Sequence, residues 1–455
     1  MADGPSPPPD RAGNPTGRQI PNGHICLTMY KIRGMRGFGL LASSTGVTCA
    51  AALALPLAPP AAATASSAPP GASSATRPEV AAHAPGGTQS LPLTSLAHDR
   101  APGVAEQGLP RRDVRHFSLV GVVWDDPATE LHGRVEVRTR ATATGTWSDW
   151  RELDAHNRDH AADPGTTEST SGRVRGATAP LWVGDSDGVE VRVRAETAPE
   201  AARTAPARPR LPGGLRLELV DPGEDVPPSA NRARAGSGEP AVLPALANRR
   251  KAKPHTAPRP RITTRRGWGA DEKLRDKGFV YTKNIRTVFV HHSDTGNNYR
   301  CSQAPSVVRG IYRYHVNSLG WRDLGYNFLV DKCGNIYEGR AGGVSKPVLG
   351  AHTLGFNSQS MGVAVLGTYS GRQPSSAALK AIARLTAWKT GQYGMNPRGK
   401  TYLKSGGGNL YPKGKKVRIN VVSGHRDGFA TNCPGKKLYA KLGTVRAKAA
   451  AYQGR

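Results

Sequence analysis

Two apolar runs that each end in histidine decide the fold: Val288-Phe-Val-His-His292 and Val421-Val-Ser-Gly-His425. Each run has the length and composition of a buried strand. Strand and helix patterns alternate through residues 261–453, which favours an α/β domain with a mixed central β-sheet flanked by helices. Open α/β sheets bind their ligands at the carboxyl ends of the strands, so both histidines lie where a functional site is expected.

The other elements of this domain are predicted from composition and spacing. Further strands are expected at residues 326–330, 336–338 and 361–366. Another strand is expected at residues 417–422, which include the first residues of the second histidine run. Pro305 begins a predicted helix that runs through Tyr314, and Ser375 or Ser376 caps another that ends at Gly391. Residues 438–452 carry one apolar stripe and predict a last helix.

The chain before this domain has a different composition and a different pattern of apolar residues. In residues 112–222, apolar and charged residues alternate in short runs such as Val135-Glu-Val-Arg-Thr-Arg140, which predicts a small all-β, sandwich-like domain. Residues 69–111 and 223–260 are rich in Pro and Ala and poor in bulky apolar residues, so we interpret both stretches as disordered linkers. The second is strongly basic, and a tether to an anionic wall is the alternative interpretation.

Residues 1–68 predict export. A basic stretch precedes an apolar run and then small residues, which is typical of a secretory signal peptide. Polar residues and Pro56 interrupt the apolar run, so a permanent membrane helix is less favoured, although a retained anchor stays open. We expect translation to begin at Met29 or Met35 and the product to be secreted and associated with the cell wall.

The net charge of +29 predicts attraction to polyanions. The sequence contains no Cys/His finger, RNA-binding signature or basic helix interleaved with aromatic residues, so we expect no nucleic-acid partner. Anionic wall polymers are the polyanions that fit an exported protein. We expect the chain to act as a monomer.

His291, His425 and Cys433 are the candidate metal ligands. Two imidazoles and one thiolate suit Zn²⁺, and three protein ligands leave the fourth tetrahedral position for water. One bound zinc ion lowers the pKa of that water from 15.7 to about 7 and polarises a carbonyl, as amide hydrolysis requires. His292 points to the opposite face of its strand and is expected to be structural. From the residues alone, ordinary packed histidines remain the alternative.

Six short motifs occur in order between residues 265 and 450. They are His291-His-Ser293, Gly320-Trp-Arg-Asp-Leu-Gly-Tyr-Asn-Phe328, Tyr337-Glu-Gly-Arg340, Gly350-Ala-His352, Gly424-His-Arg-Asp427 and Thr431-Asn-Cys-Pro-Gly435. This series resembles the peptidoglycan recognition protein/type 2 N-acetylmuramoyl-L-alanine amidase family. The resemblance implies a peptidoglycan substrate, zinc on His291, His425 and Cys433, and hydrolysis of the amide between the lactyl group of muramic acid and L-alanine.

The resemblance also implies roles for other side chains. Tyr326 corresponds to a tyrosine that stabilises the oxyanion, a role that suits a phenol donor. Four residues fall at positions that resemble the substrate groove of the family: His315, Trp321, His352 and Asn357. Thr431 stands where phage-type relatives have lysine, so the group that transfers the proton stays unassigned.

Cys301 and Cys333 remain once Cys433 is assigned to zinc, because the other two cysteines lie in the leader. Export favours a disulfide between them, and the alternative is two buried free thiols. Two other functions also stay open. A peptidoglycan-binding module that does not cut would characteristically lack a metal ligand, and a zinc peptidase would carry the His-Glu-x-x-His motif, which the sequence lacks.

Overall fold

The structure is a computed structural model that describes residues 86–96, 105–155, 158–196, 210–224 and 255–455. All of them belong to one compact unit, Thr76–Arg455. The predicted signal peptide, both candidate start sites and large parts of both predicted linkers lie outside the described residues. Within the described part, no helix has the length and apolar composition needed to cross a membrane.

Residues 86–224 form an antiparallel β-domain. Its sheet has the strand order β1-β8-β3-β7-β4-β5, and β2 and β6 each pair with β3. The strands are β1 Gly87–Pro92, β2 Thr94–Ser95, β3 Glu106–Trp124, β4 Gly133–Ala141, β5 Arg151–Leu153, β6 Gly176–Ala177, β7 Leu181–Ala195 and β8 Arg216–Asp221. The predicted alternation is present in β4, where Val135 and Val137 are fully buried while the intervening Glu136 accepts a hydrogen bond from Arg192.

The N-terminal boundary of the β-domain was predicted wrongly. Strand β1 and the first residues of β3 lie within residues 69–111, which were expected to be a disordered linker. Strand β1 is poor in bulky apolar residues, but it pairs with β8 along its whole length, from Gly87 opposite Asp221 to Pro92 opposite Arg216. This ladder uses the free edge of a sheet that lies more than a hundred residues away in sequence, so local composition did not reveal it.

Residues 255–455 form an α/β domain. Its central sheet has the order β11-β10-β12-β9-β15 and is parallel except for β11, and a separate hairpin consists of β13 and β14. The strands are β9 Thr287–His292, β10 Phe328–Val330, β11 Ile336–Glu338, β12 Ser360–Val365, β13 Lys400–Lys404, β14 Lys416–Asn420 and β15 Val422–Gly424. The helices are α1 Arg265–Trp268, α2 Ala304–Arg313, α3 Ser376–Gln392, α4 Lys436–Tyr439 and α5 Leu442–Tyr452, and a π-helical turn, Tyr314–Ser318, follows α2.

The predicted mixed sheet flanked by helices is confirmed, with one change near the site. Residues 417–422 were expected to be one strand, but they divide between the β13–β14 hairpin and the central sheet. The chain changes sheet at Val421, whose N–H donates to Gly399 and whose carbonyl accepts from Val288. This step brings β15 beside β9 and sets the direction in which His425 leaves the sheet.

The two domains share a hydrophobic core. The last part of β3, residues 117–124, is buried on both faces: Val120 and Val122 pack within the β-domain, whereas Leu119 packs with helix α2. A Cβ at Gly310 of α2 would lie 3.2 Å from the Leu119 side chain and 3.8 Å from Trp182. The β-domain is therefore packed firmly onto the α/β domain.

Candidate metal centre

Two adjacent parallel strands bring the first two predicted ligands together. In the register of β9 and β15, Val290 lies opposite Gly424, so His291 and His425 both leave the sheet at its carboxyl edge. Asp427 fixes the turn after β15, because its carboxylate accepts hydrogen bonds from the Gly424 N–H at 2.9 Å and from the Tyr439 hydroxyl at 2.6 Å. Both imidazoles are fully buried.

The loop after His425 returns Cys433 to the same point. The Cys433 N–H donates to the Thr431 hydroxyl at 3.1 Å, and the Arg426 guanidinium donates to the Asn432 carbonyl at 2.6 Å. As a result, the Cys433 Sγ lies 3.7 Å from the His291 Nδ1. Ligands at about 2.0–2.3 Å from a tetrahedral zinc ion are separated by a distance of this size.

A fourth side chain, His160 of the β-domain, lies in the same group. One ligand atom from each of His160, His291, His425 and Cys433 lies within 4.8 Å of the other three, and we call these four side chains, which could hold a metal ion, the metal-binding group. The His160 Nδ1 bonds to the Asp159 carboxylate at 2.7 Å, and its Nε2 is buried with no hydrogen bond to any residue in the described ranges. Asp159 therefore fixes the tautomer that leaves the Nε2 lone pair free to bind a cation.

The donor set fits zinc on its own chemistry. Burial lowers the pKa of His291 well below its usual value and that of His425 to about 3, so both rings are neutral. Neither ring nitrogen of His425 has a well-formed hydrogen bond among the described residues. Burial also raises the pKa of the Cys433 thiol, so a thiolate there requires a cation beside it. Buried polar atoms without partners are costly, and a metal ion would bind one nitrogen of each imidazole together with the thiolate.

Tyr326 lies beside this group. Its ring centroid is 5.4 Å from that of His291 and 5.8 Å from that of His160. Burial raises the pKa of the phenol well above its usual value, so the hydroxyl stays protonated and can donate a hydrogen bond. His292 faces away from the group, and its Nδ1 accepts the Tyr369 N–H at 3.3 Å.

The four residues expected in a substrate groove occupy different places. Trp321 lines a cavity of 540 Å³ and Asn357 a second cavity of 310 Å³. His315 lies behind Trp321, with ring centroids 4.5 Å apart, and His352 packs edge-to-face on His291 at 5.2 Å. Neither of these two histidines lines either cavity, and both are buried.

Residues 158–168, which we call the crossing segment, separate the two cavities. Arg158, Asp159 and Ala161 line the larger cavity, together with Trp321 and Thr431 of the α/β domain. The following residues of the segment line the smaller cavity, opposite Arg340 and Asn357. The segment belongs to the loop between β5 and β6 and runs past the metal-binding group, with His160 pointing into that group.

Two carboxylates fasten the crossing segment to the α/β domain. The Asp163 Oδ1 accepts from the Gly355 N–H at 2.8 Å and from the Asn357 amide at 2.7 Å. Glu168 accepts two parallel hydrogen bonds from the Arg340 guanidinium, at 2.8 and 2.9 Å, and their side chains are only 8% and 5% exposed.

The sequence did not identify His160, Asp159, Glu168 or Arg340 as site residues. His160 stands 131 positions before His291, in a different domain, so no local spacing connects the two. The adjacent acid in Asp159-His160 was the available signal, because a carboxylate that orients a metal-binding imidazole is a common arrangement. The sequence predicted three protein ligands and a fourth position for water, and the His160 imidazole adds a fourth possible ligand to the three.

Cys301 and Cys333 form a disulfide, as predicted, and Cys433 is a buried free thiol. The disulfide joins the start of α2 to the turn between β10 and β11. It therefore braces the domain away from the metal-binding group.

Two family models match the chain. Residues 281–436 match the model described as N-acetylmuramoyl-L-alanine amidase, and residues 73–210 match the one described as Rv3811 N-terminal galactose-binding domain-like. The first match contains His291, His425 and Cys433. The second contains His160 and the crossing segment.

Individual relatives match the α/β domain. Peptidoglycan-recognition protein SC2 of Drosophila simulans is 32% identical over 157 residues, which cover 34% of this chain and 71% of the relative. The N-acetylmuramoyl-L-alanine amidase of Homo sapiens is 30% identical over 190 residues, 41% of this chain and 28% of the relative. The solved structure of wild-type Drosophila PGRP-LB is 26% identical, with a TM-score of 0.33, and the match covers 40% of this chain and 93% of that one.

Proposed function

Because the α/β domain of this chain belongs to the peptidoglycan recognition protein and N-acetylmuramoyl-L-alanine amidase family, we propose that it is a zinc-dependent amidase. Its substrate is peptidoglycan, and the bond cleaved is the amide between the muramic acid lactyl group and L-alanine of the stem peptide. The protein acts outside the cell, where this polymer lies.

One observation carries the proposal: the buried side chains of His291, His425 and Cys433 converge at the carboxyl edge of the sheet, and neither ring nitrogen of His425 has a hydrogen-bond partner among the described residues. These three residues would hold the zinc ion, which supplies a Lewis acid that activates water and polarises the amide carbonyl. The Thr353 hydroxyl lies 3.5 Å from the His291 Nε2, on the side of the ring away from Cys433, and orients that imidazole.

Tyr326 stabilises the negative charge that develops on the carbonyl oxygen. Its phenol stays protonated in this buried environment and donates a hydrogen bond to the oxyanion. The Thr431 hydroxyl accepts the Cys433 N–H and also hydrogen-bonds to the Asp159 carboxylate. The group that transfers the proton to the leaving amine stays unassigned.

The test is the release of new L-alanine amino termini from purified peptidoglycan by the full chain and by its His160→Ala variant, each with zinc and with chelator. We expect release to depend on zinc. We expect no release when Cys433→Ala is introduced into either the full chain or the His160→Ala variant. Absence of release from every metal-loaded form would refute the amidase proposal, whereas release by Cys433→Ala would refute the ligand assignment.

A peptidoglycan-binding function without cleavage is the second candidate, because His160 as a fourth ligand would take the position that water needs. The same experiment separates the two. Binding of peptidoglycan in a sedimentation assay without release from any variant would favour the second candidate.

A further inference from the structure

We propose that this chain is made as a latent amidase: the crossing segment of the β-domain occupies the groove of the α/β domain, and His160 is a fourth protein ligand of the zinc ion. The proposal rests on the proposed amidase function and names its regulation. Hydrolysis begins when the crossing segment leaves the groove and the fourth coordination position opens.

The first argument is the coordination number. Zinc sites with four protein ligands are closed and structural, whereas catalytic sites keep one position for water. A ring nitrogen of His160 lies within 4.8 Å of the other three ligand atoms, and its Nε2 is buried with no competing hydrogen bond within the described residues. Asp159, whose carboxylate bonds to the opposite nitrogen at 2.7 Å, prepares the ring for metal binding. A closed site of this kind has no place for the attacking water.

The second argument is steric. Consecutive parts of the crossing segment line the two cavities of 540 and 310 Å³, each together with α/β-domain residues, and β-domain residues outside the segment such as Trp124 and Leu131 also line the larger one. His160 of the same segment belongs to the metal-binding group, so departure of the segment would open space beside that group. A peptidoglycan strand long enough to present its amide to the metal must use the space that the segment now fills.

The third argument is the way in which the segment is held. Its contacts with the α/β domain are polar. Glu168 forms an ion pair with Arg340, and Asp163 accepts hydrogen bonds from Gly355 and Asn357. The Asp159 carbonyl accepts the Leu354 N–H at 2.9 Å. None of the described residues between 158 and 173 belongs to a hydrophobic core. The segment lies between β5, which ends at Leu153, and β6, which begins at Gly176. It can therefore leave the groove while both domain cores stay intact.

The test compares the full chain with its His160→Ala variant, using His132→Ala as the matched control. His132 lies in the same domain and is exposed, on the chain before β4. Each protein is loaded with Co²⁺, and its visible spectrum is recorded with and without azide, a small anion that binds an open metal position. We expect azide to change the spectrum of His160→Ala and to leave the other two spectra unchanged.

Activity supplies the second readout. With zinc loaded, His160→Ala should release L-alanine amino termini at least about tenfold faster than the wild-type chain, because the competent fraction rises when the fourth ligand is removed. A variant that keeps zinc but cleaves more slowly than an active wild type would overturn the proposal and make His160 a catalytic residue. Equal rates combined with azide binding to both proteins would also overturn it. If neither protein cleaves, the amidase function fails, and the azide spectra alone decide whether His160 is a ligand.

Glu168→Gln provides an independent variant in case His160→Ala does not fold. The glutamine keeps the size of the side chain but removes the charge that Arg340 binds. We expect faster proteolysis within residues 158–168, detected by mass spectrometry, and faster release of L-alanine termini. Glu152→Gln, on β5 with a side chain 63% exposed, is the control. Unchanged proteolysis and unchanged release in Glu168→Gln would contradict the anchoring role.

Discussion

The hydroxyl of Tyr314 lies directly against Gly121, at a contact that leaves no room for a side chain. A Cβ at Gly121 would sit 2.3 Å from the Tyr314 Oη, which donates to the Thr178 carbonyl at 3.0 Å. Gly121 and Thr178 belong to the β-domain, and Tyr314 follows α2 of the α/β domain. A glycine at this position of β3 therefore lets the two domains come together.

Gly121→Ala should destabilise the whole chain. The added methyl group must displace a buried ring in a close-packed interface, for which we expect a loss of about 1–3 kcal/mol in the free energy of unfolding. Urea denaturation followed by fluorescence measures this loss. Gly87→Ala is the control, because a Cβ there meets no atom within 4 Å. Equal stabilities for the two variants would show that the Tyr314 contact does not constrain position 121.

Tyr326→Phe should lower kcat while zinc binding stays unchanged. The variant keeps the ring that packs beside His291 and loses only the hydroxyl that donates to the oxyanion. Loss of one such donor costs about 10²- to 10³-fold in rate. The measurement is kcat in the most active full-length form, together with the metal content. Tyr402→Phe, exposed on β13, is the matched control, and a similar effect in both variants would be evidence against the assigned role.

Adjacent histidines should differ sharply in zinc affinity. His291→Ala removes a ligand, so we expect zinc to bind at least about tenfold more weakly, measured in competition with a chelator. Loss of a residue that only hydrogen-bonds to a ligand already weakens metal binding by about tenfold or more, so loss of the ligand itself should cost at least as much. His292→Gln should bind zinc as the wild type does, because the His292 ring faces the Tyr369 N–H instead. Weakened binding in both variants, with their folds intact by circular dichroism, would contradict this assignment.

Lys389 should make stability depend on pH. Its ammonium group is buried, donates to the Val344 and Lys346 carbonyls, and lies near Glu338; burial lowers its pKa to about 7 from an ordinary 10.5. Between these two values the unfolded chain binds a proton that the folded chain does not, so this group makes the folded state more stable as pH rises from about 7 to 10. A difference of one pKa unit between the folded and the unfolded chain corresponds to about 1.4 kcal/mol in the free energy of unfolding.

The measurement for Lys389 is the free energy of unfolding at pH 7, 8.5 and 10 for the wild type and for Lys389→Met. The difference between the two proteins should change steadily over this range, because the methionine variant lacks the titrating group. Lys380→Met, exposed on the same helix, should follow the wild type at every pH. A constant difference between Lys389→Met and the wild type would mean that Lys389 keeps its ordinary pKa in the folded state.

The sequence was sufficient to predict the central sheet and the convergence of His291, His425 and Cys433 at its edge. Strand β9 has three apolar residues, Val288, Phe289 and Val290, directly before its histidines, and an N-cap serine begins α3, where the Ser375 hydroxyl accepts the Ala378 N–H at 3.0 Å. Such signals are local, because they depend on residues a few positions apart. The disulfide followed from the number of cysteines left for an exported chain.

What the sequence did not predict depends on contacts between distant parts of the chain. Strand β1 is stabilised by its ladder with β8, and His160 reaches the metal-binding group from another domain. The pairing of Glu168 with Arg340 spans 172 positions. No sequence motif around Glu168 or Arg340 indicates that the two residues pair. A single acidic residue in a polar loop is ordinarily solvated. Only the assembled domains bring these side chains together.

The joint core formed by β3 and α2 should hold the two domains together even without the peptide connection between them. Leu119 and Trp182 of the β-domain and Val308 and Ile311 of α2 would remain in contact if the backbone were cut between residues 225 and 254. A chain nicked there would migrate as one particle under native conditions and as two fragments in denaturant. Under the proposed latency, such a nick would leave the crossing segment in place, so we expect it not to increase the release of L-alanine termini.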